Sequence, residues 1–210
     1  MADLSSAIGF GIKEVADVAF YNVGDVSIDE SGALTATANP LFILDTLKVS
    51  TIENTAEQAE AKGGKGNAPL IIWDYGREIT ITLQDAVLSE KTLALMFEGN
   101  VASASNVITI SANTFPGTYT VVGSTFARNV ADGKDHLFTW YVPKAKVNSE
   151  VTLTMEAEGD PTVFDMNLRV LRDTDGTMVK MVRAADPMNV NEYSAASAFP
   201  MAGANEDEGE

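Results

Sequence analysis

Along this chain apolar residues alternate with polar ones far more often than they recur at helical spacing. Ile79, Ile81 and Leu83 are separated by Thr80 and Thr82; Val151, Leu153 and Met155 by Thr152 and Thr154; Phe164, Met166, Leu168 and Val170 by Asp165, Asn167 and Arg169. A period of two marks strands with one face on a core and the other in solvent. Strands are predicted within 40–52, where Leu47 and Val49 alternate with Lys48 and Ser50, and then at 70–83, 107–111, 118–126, 136–142, 150–156, 162–171 and 178–184. Residues 25–39 read as a small hairpin turning at Ser31-Gly32, and Asp173-Thr174-Asp175-Gly176 as a turn between two strands.

Helical signals are sparse. Ser89 is placed to cap a helix over 89–98, with Glu90 in its first turn, Leu93, Leu95, Met96 and Phe97 on one side and Gly99 just past its end. So short a helix does not stand alone and must pack on a sheet. A further helical turn is predicted near 13–19.

Between two of the predicted strands the pattern stops. Residues 53–69 carry no large apolar side chain and read as a long loop with Glu53, Glu57 and Glu60 toward one end and Lys62, Gly63, Gly64 and Lys65 toward the other. A loop of that length in a compact domain is uncommon and serves either function or disorder. The predicted organisation is an N-terminal arm at 1–39, a core at 40–184, and an acidic tail at 185–210 that is mobile or lies on a neighbour. The fold class is mainly β: a sandwich or barrel flanked by one short α-helix, with a long inter-subunit loop and extended termini.

Composition narrows the function. The formal charge is −16, and part of it is the tail set Glu206, Asp207, Glu208 and Glu210. Such a balance opposes binding to nucleic acid or to an anionic membrane, both of which need clustered Lys and Arg. There are no cysteines, which removes disulfides, thiol catalysis and thiolate metal sites. No apolar run reaches the ~20 residues that span a bilayer. The start Met1-Ala2-Asp3-Leu4-Ser5-Ser6 lacks the basic residues and apolar stretch of a signal peptide, so cytoplasmic synthesis without export is expected.

Catalytic constellations are not found. The lone His136 opens a strand, and no Gly-x-Ser-x-Gly elbow accompanies it. The Asp173–Gly176 turn is spaced like the start of a calcium loop, but Val182 stands where the closing Glu belongs. Gly63-Gly64-Lys65-Gly66-Asn67 lacks the strand-before, helix-after setting of a phosphate loop. Glu150, Glu156 and Asp165 form a carboxylate set on neighbouring strands, as a glycoside hydrolase would need, yet they occupy polar-side positions where solvated charge is expected. No enzyme activity, cofactor or metal is expected.

One stretch resembles a known family. Asp45-Thr46-Leu47-Lys48-Val49-Ser50, the polar segment 53–66, Trp73-Asp74-Tyr75-Gly76-Arg77-Glu78 and the helix following Asp85-Ala86-Val87-Leu88-Ser89 are similar to the major tail tube protein of tailed bacteriophages. The resemblance is carried by 42–98, and beyond it by strand order from Phe138-Thr139-Trp140-Tyr141-Val142-Pro143 to Met181. It implies subunits that form six-membered rings, rings that stack into a tube, and strands that line a common lumen. It also implies a long loop and terminal arms that clasp neighbours, a tape-measure protein and other tail proteins as partners, and DNA that passes through without specific binding. The location implied is the virion tail, assembled in the host bacterial cytoplasm. A heterologous, head-to-tail contact between rings gives an open filament. Under this reading Glu53, Glu57, Glu60, Lys62, Gly63, Gly64 and Lys65 form the inter-subunit loop. Asp45, Glu78, Glu150, Glu156 and Asp165 are candidate lumen acids that keep phosphates weakly bound. The alternatives are another virion component (a tail terminator or capsid decoration protein), a soluble carbohydrate-binding sandwich, and a sandwich hydrolase.

Overall fold

The computed structural model describes residues 9–12, 17–29, 32–87, 89–97, 112–148, 164–188 and 190–202. The predicted strands 107–111 and 150–156 lie outside these residues, as do Glu150 and Glu156.

Eleven strands are described: β1 (Phe10–Ile12), β2 (Val18–Asn22), β3 (Val26–Ile28), β4 (Leu34–Ala36), β5 (Phe42–Leu44), β6 (Leu47–Gly63), β7 (Ala68–Asp85), β8 (Thr118–Asn129), β9 (Asp135–Val147), β10 (Phe164–Val170) and β11 (Lys180–Pro187). Nine of them form one antiparallel sheet in the order β5-β2-β8-β9-β10-β7-β6, with β1 on β8 and β11 on β9. β3 and β4 pair separately as the expected hairpin. Among the described residues the one helix longer than a turn is α1 (Glu90–Phe97), where Ser89 Oγ accepts the Thr92 N–H at 3.1 Å, as its N-cap assignment requires.

The sheet rolls back on itself, so side chains from its two ends meet. Val18 and Phe20 of β2, Phe42 and Leu44 of β5, Ile79, Ile81 and Leu83 of β7, and Met166 and Leu168 of β10 share one core with Leu95 and Met96 of α1. Phe20 stacks on Phe42 with ring centroids 4.6 Å apart. β7 and β10 alternate because only one face meets this core. β2 and β8 do not alternate, because their other face is covered as well. There Ala19, Tyr21, Val122 and Tyr141 pack against Val26 and Ile28 of the small hairpin and against Ala198 and Phe199.

Three expectations need correction. The N-terminal arm is not outside the core: Val18-Ala19-Phe20-Tyr21 is a buried strand pairing with both β5 and β8, which also replaces the predicted helical turn at Val18 and Ala19. Its four consecutive apolar residues are what burial on both faces looks like in sequence. The tail is not free up to residue 202. Val190–Glu192 forms a 3-10 turn, α2 (Ala195–Ala198) follows, and Phe199 is fully buried. Residues 53–69 are not a loop either: 53–63 continue β6, 68–69 begin β7, and only the turn 64–67 lies between them.

Candidate functional site

The segment expected to serve assembly is half of a long two-stranded ribbon. β6 and β7 pair from Leu47↔Asp85 at the base to Gly63↔Ala68 at the tip. At the base the ribbon belongs to the body, with Ile52 opposite Ile81 and Asn54 opposite Ile79. Asp85 is buried there and accepts from the Thr46 hydroxyl and, at 3.2 Å, from the Val87 N–H. Beyond Ile79 the burial ends. Residues 53–78 are exposed throughout, apart from half-buried Ala61 and Gly63. Ten residue steps at about 3.3 Å each make this free ribbon about 30 Å long.

A bulge sits where the ribbon leaves the body. Thr55 pairs with Glu78 and Glu57 with Tyr75, so Gly76 and Arg77 together face Ala56. Gly76 has φ 62°, the left-handed conformation that this kind of bulge assigns to glycine. The extra residue shifts β7 against β6. Tyr75, Trp73 and Ile71 pair with Glu57, Ala59 and Ala61, which continue the row of Glu53 and Thr55 rather than the core-facing row of Ile52. Without the bulge they would extend the row of Ile79, Ile81 and Leu83.

The two faces of the ribbon differ. One carries Gln58, whose amide donates to Asp74 at 2.9 Å, and Glu60, which pairs with Lys62 at 2.8 Å. The other presents Ile71, Trp73 and Tyr75 over two alanines, with Trp73 52% exposed. Leu70, at 69%, is the extra residue of a second irregularity near the tip. The tip is closed by Gly64, Lys65, Gly66 and Asn67, with the Asn67 N–H on the Gly64 carbonyl at 3.2 Å.

The expected loop residues therefore scatter along the ribbon. Glu53 is at its root opposite Thr80, Glu57 opposite Tyr75, Glu60 and Lys62 pair with each other, Gly63 ends β6, and Gly64 and Lys65 form the tip. Sequence reading overlooked the exposed apolar run Leu70, Ile71, Ile72, Trp73 and Tyr75, of which Ile72 stands on the Glu60 face and Ile71, Trp73 and Tyr75 on the other. Its signal is an apolar run without the alternation that Ile79, Ile81 and Leu83 show.

A second surface lies on the outer face of β6, β7 and β10. Register places Thr51, Thr82 and Asn167 in one row, Glu53, Thr80 and Arg169 in the next, and Gln84 with Asp165 in a third. Thr82 donates to Asn167 Oδ1 and Gln84 to Asp165 Oδ1, both at 2.9 Å. Arg169 pairs with Glu78 at 3.0 Å. Two of the five candidate lumen acids, Glu78 and Asp165, thus share one polar face. Asp45 is apart from them, on the connection between β5 and β6, where its charge acts on Asp17.

The remaining polar groups stabilise the body. Tyr193 donates to Asp17 Oδ2 at 2.9 Å and lies 2.8 Å from the Ser124 hydroxyl, which ties the C-terminal segment to β8. Burial pushes the Asp17 carboxyl above its ordinary range, with the Tyr193 hydrogen bond opposing. Burial likewise raises the Tyr21 hydroxyl to about 12, and that hydroxyl donates to the Pro200 carbonyl at 3.1 Å. His136 is buried, and its Nδ1 lies 3.1 Å from the Ala184 carbonyl, which accepts. Among the described residues no group of three or more His, Asp or Glu is placed to hold a metal ion, and no helix is long and apolar enough to cross a membrane.

The model of the YomU/Tube protein family matches residues 10–102 and 99–184. A search of the curated proteins finds no match. Among solved structures, the chain is similar to one from the 6-fold symmetrised cryo-EM structure of the anti-feeding prophage baseplate. That likeness covers 83% of this chain and 97% of the other at 10% identity with a TM-score of 0.36, too loose to carry an argument.

Proposed function

Because the chain belongs to the YomU/Tube protein family, the tube proteins of phage tails, we propose that it builds the tail tube as stacked six-membered rings through which the genome leaves the virion. A structural role in the phage tail follows from the family itself. The finer reading rests on one observation above all: the ribbon beyond Ile79 has no core of its own. An isolated two-stranded hairpin is marginal in water. This one also exposes a continuous apolar row, of the kind that marks an interaction surface. Docking on other copies supplies what it lacks, and head-to-tail docking propagates into a ring or a filament.

The outer face of β6, β7 and β10 fits a lumen. Its hydroxyl and amide side chains bond one another, and its guanidinium is neutralised by Glu78. Phosphate binding needs clustered, unpaired Lys and Arg; here Arg169 is paired, and its register partner Lys146 of β9, without an ion pair among the described residues, is an isolated cation rather than a cluster. Asp165 adds modest repulsion. On this reading the wall is polar, with Glu78 ion-paired and Asp165 hydrogen-bonded. DNA passes it without specific binding, and a tape-measure protein and other tail proteins complete the assembly in the host cytoplasm.

The test replaces 56–77 with Asn-Gly, which joins Thr55 to Glu78 through a two-residue hairpin turn. The shortened protein is expected to keep its strand-rich circular dichroism and to remain monomeric, while the full chain forms tubes or six-fold rings by negative-stain microscopy. Long tubes from the shortened chain would remove the ribbon from assembly. Single rings from the full chain that never extend would favour a terminator.

A further inference from the structure

On this tube-forming reading, we propose that the Ile71–Trp73–Tyr75 face of the ribbon seats on the Ile12–Phe138–Met181 face of a second copy, with Glu57 of the first meeting Arg183 of the second.

The receiving face is a part of the core that the described residues leave open. β10, β7 and β6 close over the half of β8 and β9 that carries Val121 and Val142. They leave open the half that pairs with β1 and β11. At that end Ile12, Val18, Ser50, Ile52, Phe138, Trp140 and Met181 line an open cavity of about 300 Å³. Its rim is apolar and exposed, with Ile12 62% and Met181 52% accessible, while Trp140 at its floor is only 5% accessible. Register puts Met181 beside Trp140 and Arg183 beside Phe138, so the guanidinium borders the apolar surface. Thr125 Oγ1, in the cavity wall, is buried without a hydrogen-bond partner.

The chain's own ribbon does not fill this cavity. Ser50 and Ile52 form one wall of it, and the ribbon is the continuation of that same strand. Pairing runs from Leu47↔Asp85 to Gly63↔Ala68 with single-residue irregularities only, so the ribbon leads away from the wall it begins at. A second copy presents the complement. The ribbon's opposite face satisfies its own charges through Gln58–Asp74 and Glu60–Lys62. The Ile71–Trp73–Tyr75 face carries one carboxylate, Glu57, with no ion pair among the described residues. The receiving face carries one guanidinium, Arg183, likewise without an ion pair among the described residues. An apolar row with one unpaired anion meets an apolar floor with one unpaired cation. Such charge complementarity fixes register and direction in an otherwise greasy contact. The contact is heterologous, joining ribbon to cavity rather than like to like, and so it repeats without self-termination.

The absence of native cysteine makes the test direct. Trp73→Cys and Met181→Cys in one chain, oxidised after assembly, are expected to give a ladder of covalent multimers on a non-reducing gel. Neither change alone gives one, and Trp73→Cys with Asp165→Cys, on the polar outer face of β10, gives at least about tenfold less. Because cysteine at Trp73 weakens the contact it reports, a second arm uses charge. Glu57→Arg and Arg183→Glu are each expected to lower the sedimentable fraction about tenfold, and together to restore it. Tubes that form with no 73–181 ladder, together with a double charge variant no better than the singles, overturn this docking surface and leave the tube reading standing. A full-length chain that never assembles overturns both.

Discussion

The indole of Trp140 lies flat on Gly123, its register partner across β8 and β9: a Cβ built on Gly123 would stand 2.0 Å from Trp140 Cε2. No side chain larger than hydrogen fits between them, so the floor of the open cavity depends on this glycine for its shape rather than for backbone freedom. Gly123→Ala is expected to push the indole out and destabilise the fold by about 1–3 kcal/mol, the usual cost of overpacking. Urea unfolding measures the loss, and a red shift of tryptophan emission reports the displaced ring. An unchanged midpoint would mean that the indole moves aside freely.

The half-buried Asp17 carboxyl carries a definite pH signature. Its value in the folded chain is raised from 3.8, so the folded state holds this proton where the unfolded chain has released it. Stability contributed at this site is therefore greatest at low pH and falls as pH climbs from the unfolded value through the folded one. Asp17→Asn removes the term while keeping an acceptor for Tyr193. Urea titrations at steps from pH 4 to 7 are expected to show the wild type gaining on the variant as pH falls. A constant difference across that range would contradict the assignment. Asp132, Asp173 and Asp175, held low chiefly by hydrogen bonds from the Lys134 N–H, the Lys144 ammonium and the Thr177 N–H respectively, slope the other way but do so equally in both proteins.

Phe199 anchors the segment read from sequence as a tail that is mobile or lies on a neighbour. It is 1% exposed among Ala19, Tyr21 and Val122, and it is backed by Tyr193, whose ring meets Phe126 edge-on at 5.3 Å. Phe199→Ala is expected to cost about 3–5 kcal/mol. Chemical denaturation checks this, and a loss below about 1 kcal/mol would show that the segment contributes little to the fold.

How much of this was legible beforehand depended on how many faces of each strand are buried. Ile79 to Leu83 and Phe164 to Val170 bury one face, alternate, and were readable to within a few residues. Val18 to Tyr21 bury two faces and lose the alternation. The stretch from Glu53 to Gly63 buries none and loses it too, so a strand read as a loop. Ser89 announced α1 through its cap. Phe199 offered no period at all, being one aromatic among small residues. Within the candidate site, the charged residues were visible but the apolar row was not. The shift that turns Trp73 away from the core side arises from pairing at Gly76, and pairing is not written in either strand alone.

That shift is itself testable. Inserting one alanine after Ala56 gives Gly76 and Arg77 a partner each, which removes the bulge and returns Tyr75, Trp73 and Ile71 to the side of Ile79. The body, whose own pairs begin at Asn54↔Ile79, is expected to stay folded by circular dichroism while sedimentable polymer falls at least about tenfold. Undiminished polymer would show that the face on which the row stands does not matter.

The most direct measurement is negative-stain microscopy of the purified full-length chain over rising concentration, with its mass followed by analytical ultracentrifugation. A ribbon completed only by neighbours is expected to drive the chain into six-fold rings and tubes. A single monomeric species at every concentration would contradict the account.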